Sequence, residues 1–142
     1  MHAEQRVLRI VTKVLMPFIL LFALYVLFHG DFGPGGGFQA GVIFATGVIL
    51  YALVFGLAAA RRVVPESWLR GLIALGVLLY LGVGIAGLLA GGQFLDYGVF
   101  DPEQPAAGQH LGILLVELGV GITVAGVMII LFFSFAGRGG AR

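Results

Sequence analysis

A chain of 142 residues that is 60% hydrophobic and only 11% charged departs from a soluble domain, where about 45–50% apolar and about 25% charged residues are usual. It has the composition of a protein built for lipid. The net charge of +1 leaves no basic stripe to hold phosphates, which excludes nucleic acid as a partner. The absence of cysteine removes disulfides, iron–sulfur ligation and thiolate chemistry.

The length suits a single membrane domain over residues 1–142. Four apolar runs reach the ~20 residues that a helix needs to cross a bilayer; they fall near 11–28, 38–60, 69–90 and 111–135. The expected fold is therefore an all-α integral membrane protein with four transmembrane helices. The first run follows a basic segment, as a secretory signal does. It continues into "FHGDFGPGGG" without a small-x-small cleavage site, so it reads as a retained span. Pro17 falls in the first turns of that span, where it would kink the helix or mark its ordered start. "RRVVPESWLR" reads as a short turn between the second and third spans. "GGQFLDYGVFDPEQPAAGQ" reads as a longer acidic loop whose Phe94, Tyr97 and Phe100 dip into the headgroup layer or pack on a neighbour.

Charge gives the orientation. Arg6, Arg9, Lys13, Arg61, Arg62, Arg70, Arg138 and Arg142 all fall in the N-terminal segment, the second loop or the C-terminal tail. The first and third loops carry no Lys or Arg, and hold Asp31, Asp96, Asp101 and Glu103. By the positive-inside rule the basic segments are cytoplasmic, which places both termini inside. Trp68 then sits at the inner mouth of the third span, an interfacial position that suits its amphipathic ring.

Glu117, in "GILLVELGVGITVAG", is the residue most out of keeping with its surroundings. It lies about 10 Å below the expected outer end of span four at 1.5 Å per residue. A carboxylate at such depth costs several kcal/mol unless protonated, paired or wetted. His110 precedes it by seven residues, two helical turns, and projects from nearly the same helix face. Two readings stand: an ion or proton waypoint entered from His110, or a carboxyl group that bonds a backbone or a neighbouring subunit and holds an assembly together. His29 and Asp31 flank Gly30 and offer two polar groups for a proton or ion path. They are too few for a metal, which wants three or four ligands, and a solvated loop accounts for Asp31, Asp96 and Asp101 equally well.

The spans are rich in glycine. Gly82, Ala86 and Ala90 form a small-xxx-small row, as do Gly87 with Gly91 and Gly121 with Ala125. Such rows let helices approach closely in lipid. Twenty-four glycines are more than four spans bury among themselves, which points to partner subunits. Several chemistries are missing. The glycine run lacks the Lys-Ser/Thr ending of a P-loop, "DYGVFD" lacks a potassium-filter core, and three scattered histidines give no paired haem ligands. No serine-based or two-carboxylate catalytic set can be assembled, so neither an enzyme nor a cofactor is expected.

The corner between spans one and two, "HGDFGPGGGFQAG", carries the most specific signal. Pro34 suits the first turn of span two, where its missing N–H is no loss. Gly35, Gly36 and Gly37 permit positive φ and leave room for a neighbouring backbone, and Phe38 opens the hydrophobic run. This stretch resembles the corner of the MnhB/MrpB family, the B-type members of the Mrp (Mnh-type) multisubunit Na+/H+ antiporters, whose pattern is Gly-His-x-x-Pro-Gly-Gly-Gly-Phe with a glycine soon after. Gly30, Pro34, Gly35, Gly36, Gly37, Phe38 and Gly41 match; the histidine of that pattern is Asp31 here, with His29 on the other side of Gly30. "VELGVGITV" around Glu117 is similar to the last span of that family. The resemblance implies a small, non-enzymatic membrane subunit of a prokaryotic plasma-membrane complex. Its partners would be large subunits related to the proton-pumping subunits of respiratory complex I and other small membrane subunits, and the complex exchanges Na+ for H+. The corner would then be an inter-subunit or gating contact. Two other readings remain: the equivalent subunit of an ion-translocating, hydrogenase-like membrane enzyme, and a structural membrane protein without a transport role.

Overall fold

The computed structural model describes residues 3–29, 36–92, 103 and 105–138, with side chains of the last helix described from Leu111 onward. Among these residues every regular element is a helix: α1 Ala3–His29, α2 Gly37–Phe55, α3 Leu57–Val63, α4 Glu66–Leu89 and α5 Pro105–Arg138. Four segments are long and apolar enough to cross a membrane: Ala3–His29, Gly37–Phe55, Glu66–Leu89 and Leu111–Arg138. The chain is a multi-pass membrane protein.

The apolar run over 38–60 is not one helix. It breaks at Gly56, whose φ of +100° is a conformation that side-chain-bearing residues rarely adopt. A Cβ at this position would meet nothing within 4 Å, so backbone conformation rather than space requires the glycine. The break turns α3 so that Arg61 reaches α5. Its Nη2 donates to the Phe133 carbonyl oxygen at 3.1 Å, and the guanidinium lies 5.8 Å from the centre of the fully buried Phe133 ring. Arg61, Arg62 and Val63 thus belong to a helix, and the turn before α4 is reduced to Val64 and Pro65. Pro17 lies well inside α1, which starts at Ala3; it does not mark a helix start.

The helices are arranged with α5 between α2 and α4, and with α1 packed mainly on α2 and touching α5. The position of α5 follows from glycines on its opposite faces. Residues 119 and 121 are two apart, about 200° around a helix of 3.6 residues per turn, so they face opposite neighbours. A Cβ on Gly119 would lie 2.8 Å from the Gly76 carbonyl oxygen of α4, and one on Gly76 would lie 2.7 Å from the Gly119 carbonyl oxygen. On the other face, a Cβ on Gly41 of α2 would lie 2.8 Å from the Gly121 carbonyl oxygen. These are backbone-to-backbone approaches that only glycine permits. Apolar side chains then close around them: Ala45, Val48, Ala52, Ala60, Leu69, Ile129 and Phe133 form one buried cluster, and Val26, Leu27 and Ala40 a second. An apolar cavity of about 270 Å³ lies among α1, α2, α4 and α5, bordered by Leu27, Ala40, Leu118 and Ile129.

The Gly82–Ala86–Ala90 row faces out of the bundle; all three are exposed, and a Cβ on Gly82 would meet nothing within 4 Å. Gly76→Val should therefore force α4 and α5 apart, at roughly the 1–3 kcal/mol of an overpacked core or more. Gly71→Val, on an open surface, should cost far less. Thermal unfolding of the two purified variants in detergent checks this, and equal midpoints would contradict the packing assigned to Gly76.

Candidate functional site at the head of helix α2

Helix α2 starts at Gly37, with Gly36 as its N-cap. Pro34, expected in the first turn of this helix, lies outside the described residues. The first intrahelical bond at this end runs from the Ala40 N–H to the Gly36 carbonyl at 3.0 Å. As at any helix start, the earlier N–H groups have no partner within the helix. Gly36 has φ 143° and ψ −171°, a region open to glycine and costly for other residues.

Glu117 of α5 meets this helix end. Its carboxyl oxygens lie 3.0 and 3.4 Å from the position that a Cβ on Gly36 would take. A Cβ on Gly37 would overlap the backbone carbonyl of Glu117 and come within 3.0 Å of Val120 Cβ. Gly36 thus leaves room for the carboxyl group, and Gly37 for the helix that carries it. Gly41, one turn further on, does the same for Gly121, four residues after Glu117. The sequence brings this about through register: positions 117, 121 and 124 share one face of α5, and positions 37 and 41 share the facing side of α2. A helix N-terminus carries a partial positive charge and unpaired N–H donors, so a carboxyl group at this place is electrostatically well matched.

Gln39 belongs to the same site, and the sequence pattern alone did not single it out. Its Oε1 lies 3.3 Å from the position of a Cβ on Gly36. It stands at the third helical position, from which a glutamine reaches back toward the N-cap. The Gly-x-x-Gln spacing was the signal for it. Thr123, also missed, donates from Oγ1 to the Gly119 carbonyl at 2.8 Å and packs against Gly76. A lone threonine inside an apolar span was its only mark.

The remaining candidates are placed differently. His29 ends α1, and its ring stacks on Tyr25 at 5.2 Å between centres; Tyr25 in turn stacks on Phe22 at 6.1 Å. This aromatic ladder runs along the C-terminal end of α1. Phe38 is 61% exposed and takes no part in the Glu117 contact with Gly36. Gly30, Asp31, Pro34 and Gly35 lie outside the described residues, as do Phe94, Asp96, Tyr97, Phe100, Asp101 and the His110 side chain. His110 itself lies on α5, which begins at Pro105, so Glu117 is twelve residues into its helix, about 18 Å at 1.5 Å per residue. Among the described residues no group of three or more His, Asp or Glu is arranged to hold a metal.

Comparison with known proteins agrees with the corner motif. The chain is 31% identical over 126 residues to the B-type Na(+)/H(+) antiporter subunit of Alkalihalophilus pseudofirmus, covering 82% of this chain and 87% of that protein. It is 35% identical over 139 residues to the "Putative antiporter subunit mnhB2" of Staphylococcus aureus strain Newman, covering 96% of this chain and 98% of that one. The family profile described as "Domain related to MnhB subunit of Na+/H+ antiporter" matches residues 7–130. That match takes in the glycine corner, both glycine faces of the last helix and Glu117 together, and this chain belongs to the MnhB family.

Proposed function

We propose that this protein is a small membrane subunit of a multisubunit Na+/H+ antiporter in a prokaryotic plasma membrane. It works with large antiporter-like subunits and other small ones, and both of its termini are cytoplasmic. It is a part of a transporter and not an enzyme. Family membership supports the antiporter assignment. The distribution of Lys and Arg supports the orientation, since every basic residue lies at one end of the spans or in the adjoining segments. The outward-facing Gly82–Ala86–Ala90 row suits a helix of another subunit, because small residues permit close approach in lipid.

The observation that carries the site-level reading is the Glu117 carboxyl group at the head of α2, against Gly36 of the family's corner motif. It ties the end of α2 to the central helix. A shift of Gly36 or Gly37 would therefore be felt at the one acidic residue of the last span. Glu117 is thus both the lock that shapes the corner and the residue of this chain best placed to touch an ion or proton path. His110, His29 and Asp31 supply further polar groups on the same outer side. The corner residues Gly30, Pro34, Gly35, Gly36, Gly37, Phe38 and Gly41 shape the surface offered to neighbouring subunits, with exposed Phe38 the side chain that projects from it.

Two outcomes follow. Glu117→Gln keeps the shape of the side chain and its hydrogen-bonding carbonyl but removes the acid. It should lower ΔpH-driven Na+ exchange in membrane vesicles several-fold while all subunits are still recovered together. Unchanged exchange would contradict a direct role for Glu117. Gly36→Val places a branched side chain where the carboxyl oxygens stand and at a φ that valine avoids. It should reduce recovery of the assembled complex, and normal recovery of every subunit would count against the corner as an assembly element.

A further inference from the structure

Arg9 and Lys13 are one helical turn apart on α1, and both lie against one aromatic ring at the far end of α2. Arg9 Cζ is 5.6 Å and Lys13 Nζ 5.5 Å from the centre of Phe55. Neither has a carboxylate within ion-pair reach among the described residues. The ion pair formed at this end of the bundle joins Arg70 to Glu66 at 3.6 Å. Arg61 is turned inward to the Phe133 carbonyl. The negative end of the α2 dipole favours cations here, but a helix end carries only a fraction of a unit charge, so two cations remain largely uncompensated.

Directly beside them is a cleft of about 390 Å³ with Lys13 on its edge and apolar walls from Met16, Pro17, Leu20, Val48 and Tyr51. Ala60 and Val63 of α3 and Val64 after it complete the lining. The helix break at Gly56 creates this shape, because it turns α3 away from the line of α2. The volume is in the range of small-molecule sites, about 300–1,000 Å³. An apolar cleft with a cationic rim at the headgroup level of a bilayer matches one class of molecule, a lipid with an acyl chain and an anionic headgroup.

We propose that this cleft binds an anionic phospholipid from the leaflet at the basic end of the bundle, with its phosphate between Arg9 and Lys13 and part of one acyl chain along Met16, Leu20 and Tyr51. Charge complementarity selects the headgroup, since Lys13 at the rim and Arg9 on the same Phe55 ring face no protein acid among the described residues. The apolar walls select a chain over a free anion. The lipid wedges α1, α2 and α3 in their observed relation. This site is at the opposite end of the membrane from Glu117, and the inference does not rest on the antiporter reading.

The test is lipid retention. The protein, with whatever subunits accompany it, is purified from native membranes in mild detergent, and its lipids are extracted and quantified per chain by mass spectrometry. A photo-reactive phenylalanine analogue replacing Tyr51 reports what lies in the cleft. Wild type should retain anionic phospholipid well above its share of the bulk membrane, and position 51 should cross-link to phospholipid. Arg9→Gln with Lys13→Gln should cut that retention roughly tenfold, as expected for losing two basic contacts with an anionic headgroup. Leu20→Trp, which fills the cleft and keeps both cations, should cut it as well. Arg70→Gln should leave it unchanged. Retained lipid at the bulk headgroup ratio, equal retention in the cleft variants, or a cross-link to another polypeptide would each overturn the proposal. Should the double charge variant fail to assemble, Leu20→Trp and the cross-link decide the matter.

Discussion

Helix α5 approaches two neighbours at backbone distance on opposite sides, and the arrangement of the bundle depends on that double contact. In lipid, apolar side chains gain little from exchanging acyl chains for one another, so helix association relies on close packing and polar contacts. Gly119 facing Gly76, and Gly121 facing Gly37 and Gly41, supply the close packing. Two glycines separated by one residue would serve a single interface poorly, since they point apart; here that separation lets one helix serve as the partition between α2 and α4. Once α5 is central, Ile129 and Phe133 are buried, and α1 is left to pack mainly against α2.

The same contact determines where the single acidic residue of α5 can go. With Gly37 against the Glu117 backbone, the carboxyl group has to project toward the head of α2, where helix N–H groups need acceptors. An acid in a span is costly, and the partial positive charge of a helix start is a favourable place for it. Gly36 keeps the space open, and Gln39 borders it from within α2. This links the glycine corner to the acidic position in the last span, two features far apart in sequence, and gives a physical reason for both to occur in one small subunit. At the opposite end, Gly56 shapes the chain by conformation instead of space, setting α3 at an angle so that Arg61 grips α5 and a cleft opens beside Lys13.

Much of this was legible in the sequence. The four membrane-crossing helices follow from the lengths of the apolar runs, and the family from the run Pro34–Phe38 with its neighbouring glycines. Glu117 is visible because an acid inside an apolar span has few ways to be tolerated. Its partner was not legible, because a register between α2 and α5 depends on which glycines face each other, and 24 glycines offer many pairings. Gly82–Ala86–Ala90 has the pattern of a helix contact, yet it faces outward, while Gly76, which does meet α5, has Leu72 and Tyr80 four positions away and shows no such pattern. The division of the second apolar run is likewise not visible in the sequence. Gly56 sits among Phe55, Leu57 and Ala58, where hydropathy sees one continuous span and only the backbone angle separates two helices.

The coupling between Gly36 and Glu117 tests the central claim most directly. A double-mutant cycle with Gly36→Ala, Glu117→Ala and both together, read by thermal unfolding of the purified protein, separates shared space from backbone strain, because the strain of alanine at φ 143° is present in both backgrounds. If the glycine exists to admit the carboxyl group, Gly36→Ala will destabilise the wild-type background clearly more than the Glu117→Ala background, with a coupling of about 1 kcal/mol or more. Strictly additive effects would mean that the head of α2 and Glu117 do not share a site, and the account given of the corner would be wrong.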